Sequence, residues 1–249
     1  MTKIVGIIPS RYASTRFPAK PLAKIGGKSM IQRVYEQCKK ANSLTQVVVA
    51  TDHEAIANEV KSFGGAVVMT AESHPSGTDR CHEAYQALGE AFDYIINIQG
   101  DEPFIQPEQI DLLADLLQDK QVEIGTLVNP VESWEDFHNP NVVTVTKNVR
   151  DEAMYFSRSP IPFYRNSDDL AVWLKQHDYF RHVGIYAYRA DILAELTQLE
   201  QSSLEKAESL EQLRWLENGY KIKVGVSPYK SMGVDTPEDL EKAEELLNG

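Results

Sequence analysis

The sequence contains only two cysteines and no long apolar run. Cys38 and Cys81 fall within helix-like segments and lack the spacing of metal ligands, so we expect two free thiols. No stretch approaches the roughly eighteen apolar residues that cross a membrane, and the apolar residues 4–8 are too few to form a signal peptide. These absences predict a cytoplasmic protein that does not enter a membrane.

Positive charge is scarce in most of the chain, which carries a net charge of −12. Residues 1–35 contain seven Lys or Arg and no Asp or Glu, whereas residues 36–249 contain 18 basic and 37 acidic residues. Nucleic-acid binding is not expected, because phosphate contacts need a larger basic face. A short basic segment on an acidic protein instead predicts a local site for a small anionic ligand.

Two common nucleotide-binding loops are also missing. A Walker loop would need a glycine five positions before Gly27, where Leu22 stands, and no G-x-G-x-x-G follows a predicted strand. The basic stretch that remains, residues 9–22 (PSRYASTRFPAKPL), carries Arg11, Arg16 and Lys20. These cations can hold a triphosphate through charge-assisted hydrogen bonds, and the compact charge of Lys20 suits a phosphoryl group in the transition state.

Helix and strand patterns alternate through the first half of the chain. Short apolar runs predict strands, and apolar positions at helical spacing predict helices between them. Regular alternation predicts an α/β fold, with a parallel or mostly parallel sheet and helices on both faces. The predicted strands are residues 3–8, 46–50, 66–69, 94–98 and 124–128, and the predicted helices are residues 29–40, 53–63, 78–88 and 107–118.

Beyond Pro130 the alternation breaks, and we interpret residues 130–190 as an insertion into the sheet of a single domain spanning residues 1–249. We expect aromatic residues exposed on this segment to contact a second subunit, although packing within the chain explains most of them equally well. These residues are Phe163, Tyr164, Trp173, Tyr179 and Phe180. Strands are predicted at residues 142–146, 154–156, 182–188 and 222–226, and helices at 190–199, 204–218 and 236–247, the last with a capping box at Thr236 and Asp239.

The segments that follow strands are the expected ligand site, because ligands of open α/β sheets bind outside the carboxyl ends of the strands. Four segments qualify: residues 11–20, 74–80 (HPSGTDR), 99–102 (QGDE) and 233–235. Polyphosphate chemistry normally uses Mg²⁺ held by one or two carboxylates, so Asp101 and Asp235 are the candidate ligands. The alternative is that Asp101 caps a turn and Asp235 flanks a helix.

Seven motifs resemble those of the 3-deoxy-manno-octulosonate cytidylyltransferases, the CMP-Kdo synthetases, over residues 4–240. The first and third also fit the wider sugar nucleotidyltransferase superfamily, whereas FSRSPIP, RHVGIYAYR and the SLEQLR within the sixth are particular to this branch. In chain order the motifs are PSRYASTRFPAKPL, HPSGTDR, NIQGDEP, FSRSPIP, RHVGIYAYR, ESLEQLR and GVDTPEDL.

The resemblance implies a Rossmann-like, mostly parallel mixed sheet of the nucleotide-diphospho-sugar transferase type. It implies a homodimer that uses Mg²⁺, CTP and the acid sugar Kdo to make CMP-Kdo and pyrophosphate for lipopolysaccharide synthesis. The resemblance also assigns roles to residues. The nucleotide would bind Arg11, Ser14, Arg16, Lys20, Ser76, Gly77, Thr78 and Arg80. Catalysis would rest on Arg11, Lys20, Asp101 and Asp235, of which Asp101 and Asp235 would be the metal ligands, and the sugar would bind Gln99, Arg158, Arg165, His182, Tyr186, Glu211 and Gln212.

The chain departs from the family pattern at Ala19, where glycine is usual, at Asp79, where glutamate is commoner, and in the flanks of Arg165. Other functions remain open at this point. They are a cytidylyltransferase for sialic acid or 8-amino-Kdo, a nucleotide-sensing regulator without activity, and a glycosyltransferase with an Asp-x-Asp metal site.

Overall fold

The computed structural model describes residues 2–13, 17–133, 135, 137, 139, 141–230 and 232–248. The predicted nucleotide ligands Ser14 and Arg16 lie outside the described residues. The strands are β1 (Ile4–Ser10), β2 (Lys24–Ile25), β3 (Lys28–Ser29), β4 (Gln46–Thr51), β5 (Val67–Met69), β6 (Tyr94–Asn97), β7 (Ile124–Pro130), β8 (Thr144–Lys147), β9 (Ala153–Ser157), β10 (Phe180–Arg189) and β11 (Ile222–Val226). The helices are α1 (Met30–Cys38), α2 (Glu54–Ser62), α3 (Gly77–Leu88), α4 (Pro107–Leu116), α5 (Leu170–Gln176), α6 (Ala190–Leu196), α7 (Ser203–Glu208), α8 (Gln212–Glu217) and α9 (Pro237–Asn248), with a one-turn 3₁₀ helix at Lys20–Leu22.

The central sheet is mixed but mostly parallel, as predicted. Its strand order is β11-β7-β10-β6-β1-β4-β5, and β10 runs antiparallel to both of its neighbours, β6 and β7. The hairpin of β8 and β9 joins the sheet through the Phe180 end of β10. The antiparallel pairings of the sheet therefore all involve β8, β9 or β10, whereas its other neighbouring strands are parallel.

Both faces of the sheet are covered, because β1 is apolar on both sides. Ile4 and Ile8 pack into a core with side chains of α1, α2 and α4. Val5 and Ile7 point to the opposite face, where they pack with α3, α6 and α8. This alternation of side chains along one strand explains why a nearly continuous apolar run forms a doubly covered strand.

Two aromatic residues of the insertion are buried, not exposed as expected. Trp173 and Tyr179 were expected to be exposed, but they are only 4% and 2% exposed and pack with Phe137 and Val131 in a separate small core. Phe163 remains 71% exposed and lies edge-on to Trp173. Trp173 belongs to α5, a helix that the sequence pattern did not predict.

The predicted helix at residues 204–218 is also wrong, because two helices, α7 and α8, occupy it. Ser209 ends α7 in the left-handed conformation, with φ of 53°, and the chain changes direction there. In contrast, the predicted start of α9 is confirmed, since Thr236 and Asp239 exchange the two hydrogen bonds of a capping box.

Cys38 and Cys81 are buried free thiols, as predicted. None of the helices in the described residues has the length and apolar character to span a membrane.

Candidate active site

A cleft of about 410 Å³ lies at the carboxyl ends of the central strands β1 and β6. The four segments that were predicted to form the ligand site all contribute to it. The lining residues are Pro9, Ser10, Arg11, Lys20, Pro21, His74, Pro75, Ser76, Gly77, Arg80, Gln99, Gly100, Asp101 and Asp235.

Lys20 lies between the two predicted metal ligands. Its Nζ donates to Asp101 Oδ2 at 2.7 Å and to Asp235 Oδ1 at 2.9 Å, and its side chain is only 15% exposed. Burial alone would lower the pKa of Lys20, but the carboxylates of Asp101 and Asp235 outweigh this effect and raise the pKa. The ammonium is therefore charged, and two acidic side chains from distant parts of the chain converge on one cation.

The backbone brings these two acidic segments together. The N–H of Val234 donates to the carbonyl of Asp101 at 2.9 Å, which fixes the segment before α9 against the loop after β6. The N–H of Asp235 also donates to Asp239 Oδ2 at 3.2 Å, so the capping box of α9 orients the Asp235 peptide. The described residues contain no cluster of three or more His, Cys, Asp or Glu side chains that could hold a metal ion. Two carboxylates nevertheless fit Mg²⁺, which takes oxygen ligands and completes its shell with phosphate and water.

Gly100 is needed for the close approach of β1 to the loop after β6. A Cβ atom at Gly100 would lie 2.8 Å from Ser10 Oγ and 3.0 Å from the carbonyl oxygen of Pro9. The backbone of Pro9 cannot move aside as a flexible side chain could. A side chain at this position would therefore separate Asp101 from the basic segment.

Helix α3 begins at the edge of the cleft with Ser76 as its N-cap. Ser76 Oγ accepts from the N–H of Asp79 at 3.2 Å and donates to the Asp79 carboxylate at 2.6 Å. Gly77 also lines the cleft, so the first turn of the helix presents its positive end there. Thr78 does not line it; this residue is buried and donates to Glu211 Oε2 at 3.0 Å.

The predicted sugar ligands fall into two groups, of which the first lies next to the cleft. Gln99 lines the cleft and donates to the carbonyl of Gly184 at the bulge of β10. His182 is hydrogen-bonded to Thr126 Oγ1 at 3.1 Å, and removal from water lowers the pKa of His182 to about 3. Tyr186 lies on the same strand, with its ring centroid 5.1 Å from that of His182.

Glu211 and Gln212 approach from the start of α8. Burial raises the pKa of Glu211, an effect that the nearby hydroxyls of Ser76 and Thr78 partly offset. Glu211 lines a second cleft of about 470 Å³ together with Arg214 and Ser76, and Ser76 lines both clefts. Gln212 is buried, at 6% exposed.

The two predicted arginine ligands of the sugar form the second group, and in the described structure neither lines either cleft. Arg158 Nε donates to the carbonyl of Glu208 at 2.7 Å, and its backbone N–H donates to the Glu208 carboxylate, which anchors it to the end of α7. Arg165 is exposed. The structure thus leaves these two residues apart from the other predicted sugar ligands.

Two lining residues were given no individual role by the family resemblance, and a third residue, Asp52, was not predicted at all. Ser10, whose hydroxyl can bind phosphate, and His74, from the predicted segment 74–80, line the cleft, and His74 Nε2 contacts the Glu83 carboxylate. Asp52 lies beneath it and pairs with Arg80. Asp52 directly follows β4, so the rule that selected the other segments after strands could also have selected this one.

Comparison with known proteins gives one consistent result. The profile of the cytidylyltransferase family matches residues 5–222. The 3-deoxy-manno-octulosonate cytidylyltransferase of Parabacteroides distasonis is 59% identical, covering 98% of this chain and 97% of that protein. The protein of the same name from Bacteroides thetaiotaomicron is 58% identical, covering 98% of both.

A solved structure agrees with these sequence matches. The chain is 42% identical to a CMP:2-keto-3-deoxy-manno-octonic acid synthetase complexed with CTP, with a TM-score of 0.91 over 99% of both chains. The similarity therefore extends over nearly the whole fold as well as the whole sequence. The chain belongs to the cytidylyltransferase family.

Proposed function

We propose that this enzyme transfers CMP from CTP to the anomeric 2-hydroxyl of 3-deoxy-D-manno-octulosonate (Kdo), releasing pyrophosphate and supplying CMP-Kdo for lipopolysaccharide synthesis. The central observation is the cleft in which Lys20, Asp101 and Asp235 meet. Relatives at 58% and 59% identity over nearly the whole chain carry the name of this activity, which supports Kdo as the acceptor.

The nucleotide would bind with its triphosphate among the cations of the cleft. Arg11 and Lys20 supply positive charge, and Ser76 and Gly77 present the N-terminal end of α3. Arginine can bond two phosphate oxygens at once, whereas lysine acts as a compact charge. These groups hold the triphosphate in one orientation, so that pyrophosphate leaves opposite to the attacking hydroxyl.

Lys20 changes partners in this proposal. In the structure its ammonium is bonded to Asp101 and Asp235. When the triphosphate arrives, Lys20 exchanges these carboxylates for oxygens of the α-phosphate, where it stabilises the negative charge that grows in the transition state. Asp101 and Asp235 would then face Mg²⁺ in place of the ammonium, and the metal, when bound, would neutralise phosphate charge and lower the pKa of the sugar hydroxyl.

The acceptor sugar would lie on the side of Gln99, His182, Tyr186, Glu211 and Gln212. Amide, imidazole, phenol and carboxyl groups are suitable partners for the several hydroxyls of Kdo. Burial keeps His182 neutral, so that it can donate or accept a hydrogen bond but does not repel the cations of the cleft. An arginine is a suitable partner for the carboxylate of Kdo, and we propose that Arg158 or Arg165 binds it. The side chain of that arginine would have to move toward the cleft.

We also propose a cytoplasmic homodimer built from single-domain subunits. One sheet contains strands from Ile4–Ser10 through Ile222–Val226, which supports a single domain. The exposed side chain of Phe163, on the inserted segment, supports a contact with a second subunit there. Phe163→Asp should therefore convert the dimer to a monomer in sedimentation measurements, whereas an unchanged sedimentation coefficient would refute this interface.

Pyrophosphate release tests the proposed activity. The enzyme is assayed with CTP, Mg²⁺ and Kdo, and then with sialic acid or the 8-amino analogue in place of Kdo and UTP in place of CTP. We expect release to require an acid sugar and to be fastest with CTP and Kdo. Faster release with another acid sugar would change the acceptor, and CTP binding without release would favour a regulatory protein.

A further inference from the structure

Asp52 links two segments that line the cleft. Its Oδ1 accepts the backbone N–H of Tyr12 at 3.1 Å, and its Oδ2 accepts from Arg80 at 2.8 Å. The Asp52 side chain is only 6% exposed. One buried carboxylate therefore fixes both the peptide that follows Arg11 and the guanidinium of Arg80.

Tyr12 is held by two further contacts. Its ring stacks on His53, with centroids 3.8 Å apart and planes 16° apart. Its carbonyl accepts the N–H of Ala19 at 3.1 Å, next to Lys20. The position of Tyr12 thus bears directly on Arg11, whereas the Lys20 ammonium is held separately by Asp101 and Asp235.

Arg80 depends on Asp52 for neutralisation. Its guanidinium donates to Asp52 and to Thr70 Oγ1, the latter at 2.6 Å, and the residue is 4% exposed. Since Thr70 is uncharged, Asp52 supplies the negative charge in this ion pair. Removing one partner of a buried ion pair leaves an uncompensated charge, so Arg80 would rearrange toward the water of the cleft.

We propose that Asp52 is a positioning residue for nucleotide binding, which sets the places of Arg11 and Arg80 before the triphosphate arrives. This inference rests on the proposed function, which identifies the nucleotide as CTP. Asp52 touches no reacting atom in this account. Its loss should therefore weaken CTP binding much more than it slows the chemical step.

Two substitutions separate the contacts of Asp52. Asparagine offers one acceptor oxygen where aspartate offers two, so Asp52→Asn satisfies one of the two donors, and Asp52→Ala satisfies neither. We expect Asp52→Asn to raise the dissociation constant for CTP about tenfold, and Asp52→Ala to raise it further. The kcat at saturating CTP and the KM for Kdo should stay within about threefold of the wild-type values.

Limited trypsin digestion without nucleotide provides a second readout, independent of activity. The Arg11–Tyr12 peptide is a trypsin site, and its N–H is the group that Asp52 holds. Cleavage there should be about fivefold faster in Asp52→Ala than in the wild type, with Asp52→Asn between them. Asp191→Asn is the matched control, since Asp191 pairs with Arg189 at the surface, away from the cleft.

The outcomes decide between positioning and a purely structural role. Wild-type CTP affinity and wild-type cleavage in Asp52→Ala would overturn the proposal. Equal losses in kcat and in both KM values, with a lower melting temperature, would also overturn it. If Asp52→Ala does not fold, Asp52→Asn decides through its CTP affinity alone. CTP binding by the wild type tests the proposed function separately, because the role of Asp52 is judged from the ratio of variant to wild type.

Discussion

Replacing Lys20 with methionine should have opposite effects on metal binding and on catalysis. Methionine has a similar length but cannot donate to Asp101 or Asp235, the two carboxylates that Lys20 bonds at 2.7 and 2.9 Å. In the variant, the Lys20 ammonium no longer competes with a divalent metal for these carboxylates. We therefore expect the nucleotide-free variant to bind a divalent metal more tightly than the wild type does.

The expected change can be sized from the contacts. A hydrogen bond to a charged group contributes about 1.5–3 kcal/mol of interaction free energy. Solvent screening reduces this value for Lys20, because the side chains of Asp235 and Asp101 are 47% and 30% exposed. About 1–2 kcal/mol for the pair corresponds to about 5- to 30-fold in metal affinity. Turnover should fall at least about 100-fold, because the positive charge beside the α-phosphate is lost.

Mn²⁺ is a suitable probe, since electron paramagnetic resonance measures its free concentration in the presence of nucleotide-free enzyme. Lys24→Met is the matched control: Lys24 is an exposed lysine that bonds Glu59 at 2.8 Å and does not line the cleft. It should leave both metal affinity and turnover unchanged. Equal or weaker Mn²⁺ binding in Lys20→Met would refute the idea that Lys20 occupies the metal position.

Three further substitutions test other parts of the structure. Asp101→Asn should abolish turnover at any practical Mg²⁺ concentration while leaving the circular dichroism spectrum unchanged, and near-normal activity would contradict the role of Asp101 as a metal ligand. Ala19 has φ of 54°, so Ala19→Gly should raise the free energy of unfolding in urea by about 0.5–1 kcal/mol, and a decrease would show that the left-handed backbone is not strained. The folded-state pKa of His182, about 3, lies below the unfolded value of 6.5. The contribution of His182 to the free energy of unfolding is therefore fully present above pH 6.5 and is lost as the pH falls toward 3. The loss is at most about 1.4 kcal/mol per pH unit. His182→Gln should remove this slope relative to the wild type, and identical slopes in urea unfolding across this range would argue against a lowered pKa of His182.

Much of the fold followed from local patterns. The run at β1 is apolar on both faces and therefore predicted a strand covered by helices, which the structure confirms. The start of α9 was equally clear, since Thr236 and Asp239 satisfy each other's backbone groups without help from the rest of the chain. Features of this kind depend on neighbours in sequence, which is why the sequence alone predicts them.

The errors arose where distant residues decide the structure. The periodicity of residues 204–218 continues through Ser209, but the carboxylate of Glu208 bonds Ser157 Oγ at 2.7 Å and the N–H of Arg158, contacts that link the end of α7 to β9. Trp173 is buried because Phe137 and Val131 lie against it. No pattern within the segment reveals these partners.

In the site, too, local sequence predicted individual residues but not the contacts between distant ones. The sequence identified Lys20, Asp101 and Asp235 as candidates because each lies in a segment suited to phosphate or metal. It did not predict that Lys20 would bond both carboxylates, since this requires the backbone contact between Val234 and Asp101. The position of Asp52 directly after β4 could have been noticed in the sequence, but its contacts with Tyr12 and Arg80 could not be predicted from it.

Transfer of a labelled α-phosphate tests the central claim most directly. Two preparations of CTP, one labelled at the α-phosphorus and one at the γ-phosphorus, are incubated with the enzyme, Mg²⁺ and Kdo, and the products are separated. Our account predicts that the α-label appears in CMP-Kdo and the γ-label in pyrophosphate, in equal amounts and only when Kdo is present. Recovery of the α-label in free CMP or CDP, or no transfer to Kdo, would contradict it.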